Sequence, residues 1–205
     1  MNRNRGFTII ELMIVIVVGA IGITLAVPSF RDVIERKQVG GAAEAAYEQL
    51  QRARSQAVSR STPDVVESIV VDFYENGTDW AIGFTDKPEG CNAESITFSS
   101  GCSVDYNNDG VADDRLWALM RIVGSDYRNI TMSQATAFTG SPRGCSSVSG
   151  EGTQACFDSV RGLAKIGEYD FESANYTLRV GVTLLGNVNI CVPAGEKPIP
   201  GYRDC

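Results

Sequence analysis

The sequence predicts an α+β protein in which one long N-terminal helix precedes a C-terminal antiparallel β domain with disulfide-closed loops. Three observations predict this fold. An uncharged apolar run ends at residue 30, an apolar stripe with helical spacing follows it, and strand-like segments begin near residue 65. A chain of 205 residues is long enough for one ordinary domain with an appendage.

The apolar run has the length of a membrane anchor. No charged side chain occurs between Leu12 and Phe30. As a helix, residues 7–30 would be about 36 Å long, enough to cross a bilayer core of about 30 Å. Arg3 and Arg5 precede the run and should stay in the cytoplasm. Because no small-residue signal-peptidase site ends the run, we predict an uncleaved, single-pass membrane anchor. The domain that follows it should face the opposite, oxidising side of the membrane.

An amphipathic helix should continue from the anchor. Pro63 should stop this helix near Ser61, and Gly40-Gly41 should weaken or bend it locally. Apolar residues recur in this segment at steps of three and four, namely at Val39, Ala43, Ala46, Leu50, Ala53 and Ala57. This alanine-rich face is narrow, which suits close packing against a sheet or against neighbouring helices.

The rest of the chain has the pattern of strands and tight turns. Residues 65–74 and 80–84 flank Asn76-Gly77, a strong hairpin signal. Residues 176–184 and 188–192 flank Gly186-Asn187 in the same way. Further strand candidates are residues 95–98, 116–123 and 130–138. We therefore predict an antiparallel sheet built largely from hairpins.

The cysteines indicate an oxidising compartment. All six lie beyond residue 90, and the chain has no CxxC pair and no histidine, so a disulfide framework is favoured over a zinc site. Six cysteines allow fifteen pairings. Sequence proximity favours Cys91–Cys102, Cys145–Cys156 and Cys191–Cys205.

The first residues resemble a known processing signature. Gly6-Phe7-Thr8-Ile9-Ile10-Glu11-Leu12 is similar to the prepilin signature of type IV pilins and type II secretion pseudopilins. The resemblance implies that a prepilin peptidase cuts between Gly6 and Phe7 and methylates the new amine of Phe7. It also implies a type IV pilin fold with a leader at 1–6, a transmembrane and assembly helix at 7–30, an amphipathic helix at 31–62 and a β domain at 63–205.

Glu11 is the one charged residue in the apolar part of the expected helix. A charge within the bilayer costs about 2.5–3.5 kcal/mol on insertion scales, so a partner should be found for it. In the family, this carboxylate is thought to meet the N-terminal amine of a neighbouring subunit. The alternative is that Glu11 lies at the headgroup level and has no specific role. Gly19, Gly22 and Pro28 are either ordinary membrane-helix composition or the place where the helix loses regularity in an assembled pilus.

A second resemblance points to one branch of the family. Residues 50–58, LQRARSQAV, are similar to a helix segment of the GspH/FimT branch, which includes minor pilins and a minor pseudopilin. The expected partners are other pilins, contacted through the N-terminal helix, and an inner-membrane assembly platform. The expected function is that of a minor pilin that primes or caps pilus assembly. The resemblance implies a single-pass protein of the bacterial inner membrane with its β domain in the periplasm, which later enters an extracellular pilus or a pseudopilus. The alternatives are a type II secretion pseudopilin and a DNA-binding pilin.

Two further segments resemble ligand-binding motifs. Asp105, Asn107 and Asp109 follow the spacing of calcium ligands before Gly110. The alternative is a plain turn between strands, which Asp, Asn and Gly also form. No other cofactor is expected. Some FimT-branch members bind DNA through a Gly-Arg-x-Arg motif, whereas the matching residues 186–189 are Gly-Asn-Val-Asn. The missing arginines and a net charge of −7 argue against nucleic-acid binding. The lack of histidine and of a free thiolate argues against an enzyme.

Overall fold

The computed structural model describes residues 8–60, 68–95, 101–105, 121–145 and 152–205, and the side-chain surroundings of all of these except 24–29. The chain divides into two compact units, Met1–Lys37 and Gln38–Cys205. Helix α1, Ile9–Ser59, contributes residues to both. The two units are described in turn.

The part of α1 in the first unit is held by local interactions. Its described large aliphatic side chains are exposed, from Ile9 at 80% to Val33 at 44%. Near its end, Arg36 forms an ion pair with Asp32 one turn earlier, a spacing that supports a helix by a few tenths of a kcal/mol, about 0.2–0.5.

The part of α1 in the second unit is packed on the β domain. All six residues of the predicted stripe are buried, with at most 2% of their surface exposed, which confirms the helical spacing. The helix ends at Ser59, close to the predicted end. It runs unbroken through Gly40 and Gly41, where side-chain contacts explain the glycines. An added Cβ would lie 3.1 Å from the Tyr202 hydroxyl at Gly40 and 3.3 Å from the Tyr127 ring at Gly41.

Nine strands in the described residues form two sheets. The first sheet is antiparallel, with strand order β3-β2-β1-β5. The second has order β4-β6-β7-β8-β9 and is antiparallel except for the parallel pair β8–β9. The strands are β1 Ser68–Tyr74, β2 Ala81–Thr85, β3 Arg121–Val123, β4 Thr131–Thr139, β5 Gln154–Asp158, β6 Ile166–Glu172, β7 Thr177–Val182, β8 Val188–Val192 and β9 Arg203–Asp204.

The sequence located most of these strands but missed three of them. Both predicted hairpins form, as β1–β2 and β7–β8. The candidate at 130–138 corresponds to β4, and the described end of the candidate at 116–123 is β3. The candidate at 95–98 lies outside the described residues except for Ser95, which is not in a strand. Strands β5, β6 and β9 were not predicted.

One hydrophobic core joins the helix and both sheets. Its largest buried side chains are aromatic and include Trp80, Phe84, Phe157 and Phe171. The indole N–H of Trp80 donates to the Ile130 carbonyl at 3.0 Å. This bond satisfies a polar group that burial would otherwise leave unpaired.

All six cysteines lie in the described residues. They form Cys91–Cys102, Cys145–Cys156 and Cys191–Cys205, the pairs that sequence proximity favours. The last of these ties the C-terminus to β8. Between its cysteines, Tyr202 lies against α1, where its hydroxyl donates to Glu44 Oε1 at 2.6 Å. Burial, together with this bond, raises the pKa of Tyr202.

Candidate assembly site at the N-terminus

Helix α1 begins with a capping box formed by Thr8 and Glu11. The Thr8 hydroxyl accepts a hydrogen bond from the Glu11 backbone N–H at 3.3 Å. In return, Glu11 Oε2 accepts from the Thr8 backbone N–H at 2.9 Å and from the Thr8 hydroxyl at 3.0 Å. These reciprocal bonds satisfy N–H groups that have no partner inside a helix.

The capping box gives Glu11 a local use within its own chain. A carboxylate in the first turn also interacts favourably with the positive end of the helix dipole. Neither effect needs a second subunit, so the carboxylate is partly stabilised before any assembly. The sequence signal Thr-x-x-Glu was present at Thr8-Ile9-Ile10-Glu11 and would have predicted this contact.

An uncovered aliphatic surface follows the capping box. Every described residue between Ile9 and Ile23 is exposed, and the large side chains among them are 57–80% exposed. In a soluble monomer such a surface is unusual, and it marks contact with a partner or with lipid. Within the described residues, no helix is both long and apolar enough to span a membrane.

The other residues singled out in this segment lie on the same helix or outside the described residues. Gly6 and Phe7 are outside them. Gly19 and Gly22 have no heavy atom within 4 Å of an added Cβ, so no contact within the chain requires a glycine there. Helix α1 continues through Pro28, and a loss of helical regularity on assembly stays a prediction.

A family model for the prokaryotic N-terminal methylation motif matches residues 1–27. The match covers the predicted cleavage position, the capping box and most of the apolar surface. It supports a type IV pilin-like family. No curated protein and no solved structure matches the chain.

The motif and the fold agree with each other. The long helix packed on antiparallel sheets with three disulfides is a type IV pilin-like α+β architecture. The motif implies processing by a prepilin peptidase and assembly with other pilins, and it suggests a membrane-anchored pilin. The pilin-motif family is structural, which makes this end of the helix a candidate site of processing and assembly.

The candidate calcium loop is described only at its first residue. Asn107 and Asp109 lie outside the described residues, and the described residues contain no group of three acidic, cysteine or histidine side chains suited to a metal. Asp105 is buried, at 3% exposure. Its backbone N–H donates to Asp86 Oδ2 at 2.8 Å, and its carbonyl accepts from Arg60.

Arg60 and Asp86 form a buried ion pair that sequence reasoning missed. Their side chains are 7% and 12% exposed, and the Arg60 Nη1 to Asp86 Oδ2 distance is 3.0 Å. Both members of the pair hydrogen-bond the backbone of Asp105. The pair therefore joins the end of α1 to the segment after Cys102. No sequence pattern marks it, because its two members are far apart in the chain.

Proposed function

We propose that this protein is a minor type IV pilin, a structural subunit that primes or caps the assembly of a pilus. The proposal extends the pilin-like assignment to a specific role and to the domain boundaries 1–6, 7–30, 31–62 and 63–205. Three cysteine loops add bulk that would repeat poorly along a thin fibre, which favours a minor subunit. The segment LQRARSQAV at 50–58 favours the GspH/FimT branch.

Glu11 is the observation that carries the assembly role in this proposal. Within the described residues, its carboxylate accepts hydrogen bonds only from the backbone N–H and the hydroxyl of Thr8, and the surface around it is otherwise aliphatic. Cleavage after Gly6 would leave Thr8 in place and create a new amine one residue before it, at Phe7. In the membrane, Thr8 would hold the carboxylate. During assembly, the Phe7 amine of an adjacent subunit would provide a charged partner in the same low-dielectric layer.

Two substitutions of Glu11 test this proposal. Glu11→Ala removes both the charge and the capping interaction, whereas Glu11→Gln keeps an acceptor for the cap and removes only the charge. We expect both variants to insert into the membrane and to be processed after Gly6, and both to be lost from sheared pili. The measurement is immunoblotting of membrane and pilus fractions. Normal incorporation of Glu11→Gln would reduce Glu11 to a helix cap and contradict the docking role.

A type II secretion pseudopilin of the same branch is the alternative. The same processing site and the same aliphatic surface serve both systems. Cross-linking of the full chain in its native membrane separates them, because a pilin would be recovered with pilus subunits and a pseudopilin with secretion subunits. Recovery with secretion subunits alone would overturn the minor-pilin proposal.

A further inference from the structure

Two segments of the β domain meet the last turns of α1. Arg54 of the helix donates from Nη2 to the Leu185 carbonyl at 3.0 Å and from Nη1 to Asn187 Oδ1 at 3.2 Å, at the tip of the β7–β8 hairpin. Gly186 has φ +72°, and a Cβ there would lie 2.0 Å from the Gly162 carbonyl oxygen. The helix, the hairpin tip and the turn at 159–163 are therefore fixed against one another.

This junction exposes aliphatic side chains. In the described residues of the second unit, five large aliphatic residues are exposed, and four of them lie here. Their exposed fractions are 47% for Val58, 46% for Val160, 48% for Leu184 and 63% for Leu185. The concentration at one place distinguishes them from the scattered exposed aliphatics that any surface carries.

Arginines border the same aliphatic group. Arg143 and Arg161 are exposed and line a pocket of 280 Å³ together with Val160 and Leu163. A neighbouring hollow of 560 Å³ lies between Arg161 and the helix. We call Val58, Val160, Leu184, Leu185, Arg143 and Arg161 the arginine patch.

The acidic residue at this pocket faces inward. Asp158 is 1% exposed, and its Oδ1 accepts from the backbone N–H groups of Arg161 at 2.8 Å and Leu163 at 3.3 Å. The carboxylate shapes the turn that presents Arg161. Among the described residues that line the two hollows, Asp158 is the one acid. A protein of net charge −7 therefore presents a local cationic and aliphatic surface here.

We propose that the arginine patch is a docking surface for an acidic, aliphatic segment of another protein. Guanidinium groups bind carboxylates through paired charge-assisted hydrogen bonds, and arginine beside apolar side chains is typical of the buried part of interfaces. Carboxylates of the partner would meet Arg143 and Arg161, and its aliphatic side chains would cover Val58 and Leu185. A nucleic acid fits this surface less well, because its row of phosphates would leave four aliphatic side chains uncovered.

Binding of a synthetic probe to the full chain in phospholipid nanodiscs tests this proposal. The probe is a labelled 12-residue peptide of alternating Glu and Leu, measured by fluorescence anisotropy, with empty nanodiscs as the blank. A Gln and Leu peptide and a 12-base-pair DNA duplex serve as comparison ligands. We expect the Glu and Leu peptide to bind tightest, and raising the salt concentration to weaken its binding.

Variants locate the binding. Arg161→Gln should weaken binding about tenfold, because one charge-assisted contact is lost. Leu185→Ser should weaken binding several-fold, because one apolar contact is lost. The matched control is Arg203→Gln on β9, which pairs with the far end of β8 from the hairpin, and it should bind as wild type. Absence of binding, equal binding of the Gln and Leu peptide, tighter binding of DNA, or equal losses in Arg161→Gln and Arg203→Gln would each overturn the proposal.

Discussion

The two parts of helix α1 use their apolar residues in opposite ways. In the first unit, the described isoleucine and valine side chains are 44–80% exposed, and the described contacts are local ones such as the Thr8–Glu11 capping box. In the second unit, six small or aliphatic residues of the same helix are buried under the sheets. One continuous helix therefore has exposed apolar residues in its first part and contributes buried residues to the hydrophobic core in its second part.

This difference shows where the chain needs other molecules. The second unit buries its own aromatic core and closes three disulfides, so its fold is specified by its own residues. The first unit exposes large aliphatic residues over several turns, and isolated helices draw little stability from propensity alone. Lipid or neighbouring subunits must supply what the sheets supply for the second unit.

The same substitution in the two parts should have opposite consequences. Ala46 is buried at 1% exposure, and Ala20 is exposed. Ala46→Asp should lower the free energy of unfolding by about 3–5 kcal/mol, because it buries a carboxylate without a partner. Ala20→Asp should leave unfolding of the β domain unchanged and instead oppose membrane insertion by about 2.5–3.5 kcal/mol. Urea denaturation followed by tryptophan fluorescence and membrane fractionation measure the two effects.

Leucine at the same two positions provides the control. Ala20→Leu should be tolerated in both assays, whereas Ala46→Leu should still destabilise by about 1–3 kcal/mol through overpacking. Equal losses of stability from Ala20→Asp and Ala46→Asp would contradict the division of the helix into an uncovered and a packed part.

Removal of one disulfide should show how much it contributes to the stability of the second unit. Cys145 and Cys156 are buried, and their loop has a separation of 11 residues. Replacing both with alanine should cost about 3 kcal/mol in the chain-entropy treatment. The Cys191–Cys205 pair, with a separation of 14, should cost a similar amount.

Reductant should distinguish these two disulfides in the wild-type protein. Cys205 is exposed, whereas neither cysteine of the Cys145–Cys156 pair is. Under mild reduction, Cys191–Cys205 should therefore open first and Cys145–Cys156 only on unfolding. Mass spectrometry after alkylation measures the order. Earlier opening of Cys145–Cys156 would contradict the burial of that pair.

The features that the sequence predicted best repeat a simple pattern. The buried stripe of α1 follows helical spacing, both hairpins follow a glycine beside an asparagine, and the cysteines pair with near neighbours.

Strand β6 also alternates, with Tyr169 and Phe171 inside and Glu168, Asp170 and Glu172 on the other face. It was missed because acidic residues are rare in strands. Arg179 of β7 pairs with two of these acids, through a two-point ion pair with Asp170 and a single contact with Glu168.

The features that the sequence did not predict depend on distant partners. Strand β5 is buried at all five positions, including Gln154 and Asp158, so it has no alternation to detect. Strand β9 has two residues and is held beside β8 next to a disulfide. The arginine patch arises from four segments that only the folded chain brings together: the end of α1, the segment with Arg143, the turn at 159–163 and the tip of the β7–β8 hairpin.

A substitution at Gln49 tests the packing of the buried face of α1 in the second unit. Its side chain is 2% exposed, and its Nε2 has no hydrogen-bond partner among the described residues. Gln49→Met should raise the free energy of unfolding by about 1 kcal/mol, because an unpaired buried donor is removed at nearly constant volume. Gln51→Met is the control, since Gln51 Nε2 donates to the Tyr47 hydroxyl at 3.2 Å. A gain in Gln51→Met equal to that in Gln49→Met would contradict the explanation.

The smallest expected effect concerns a buried carboxylate between the first sheet and the Cys91 loop. Asp72 accepts hydrogen bonds from the Cys91 backbone N–H and the Gln154 side chain. Burial raises the pKa of Asp72, and the two hydrogen bonds partly offset that rise. The folded state therefore binds this proton more tightly than the unfolded chain does. The resulting stability is fully present below about pH 3.9, the ordinary pKa of aspartate, and is lost as the pH rises through the folded pKa.

Asp72→Asn removes this titration while keeping the shape of the site. The new amide can accept from the Cys91 N–H and donate to Gln154 after rotation of the Gln154 amide, so at pH 7 stability should change by less than about 1 kcal/mol. On going from pH 7 to pH 4, the wild type should gain stability relative to Asp72→Asn. Urea denaturation at both pH values measures the gain, and Asp72→Ala, which loses both bonds, should be less stable than the wild type at each pH. A difference between wild type and Asp72→Asn that stays constant with pH would mean that this carboxylate titrates alike in the folded and unfolded chain.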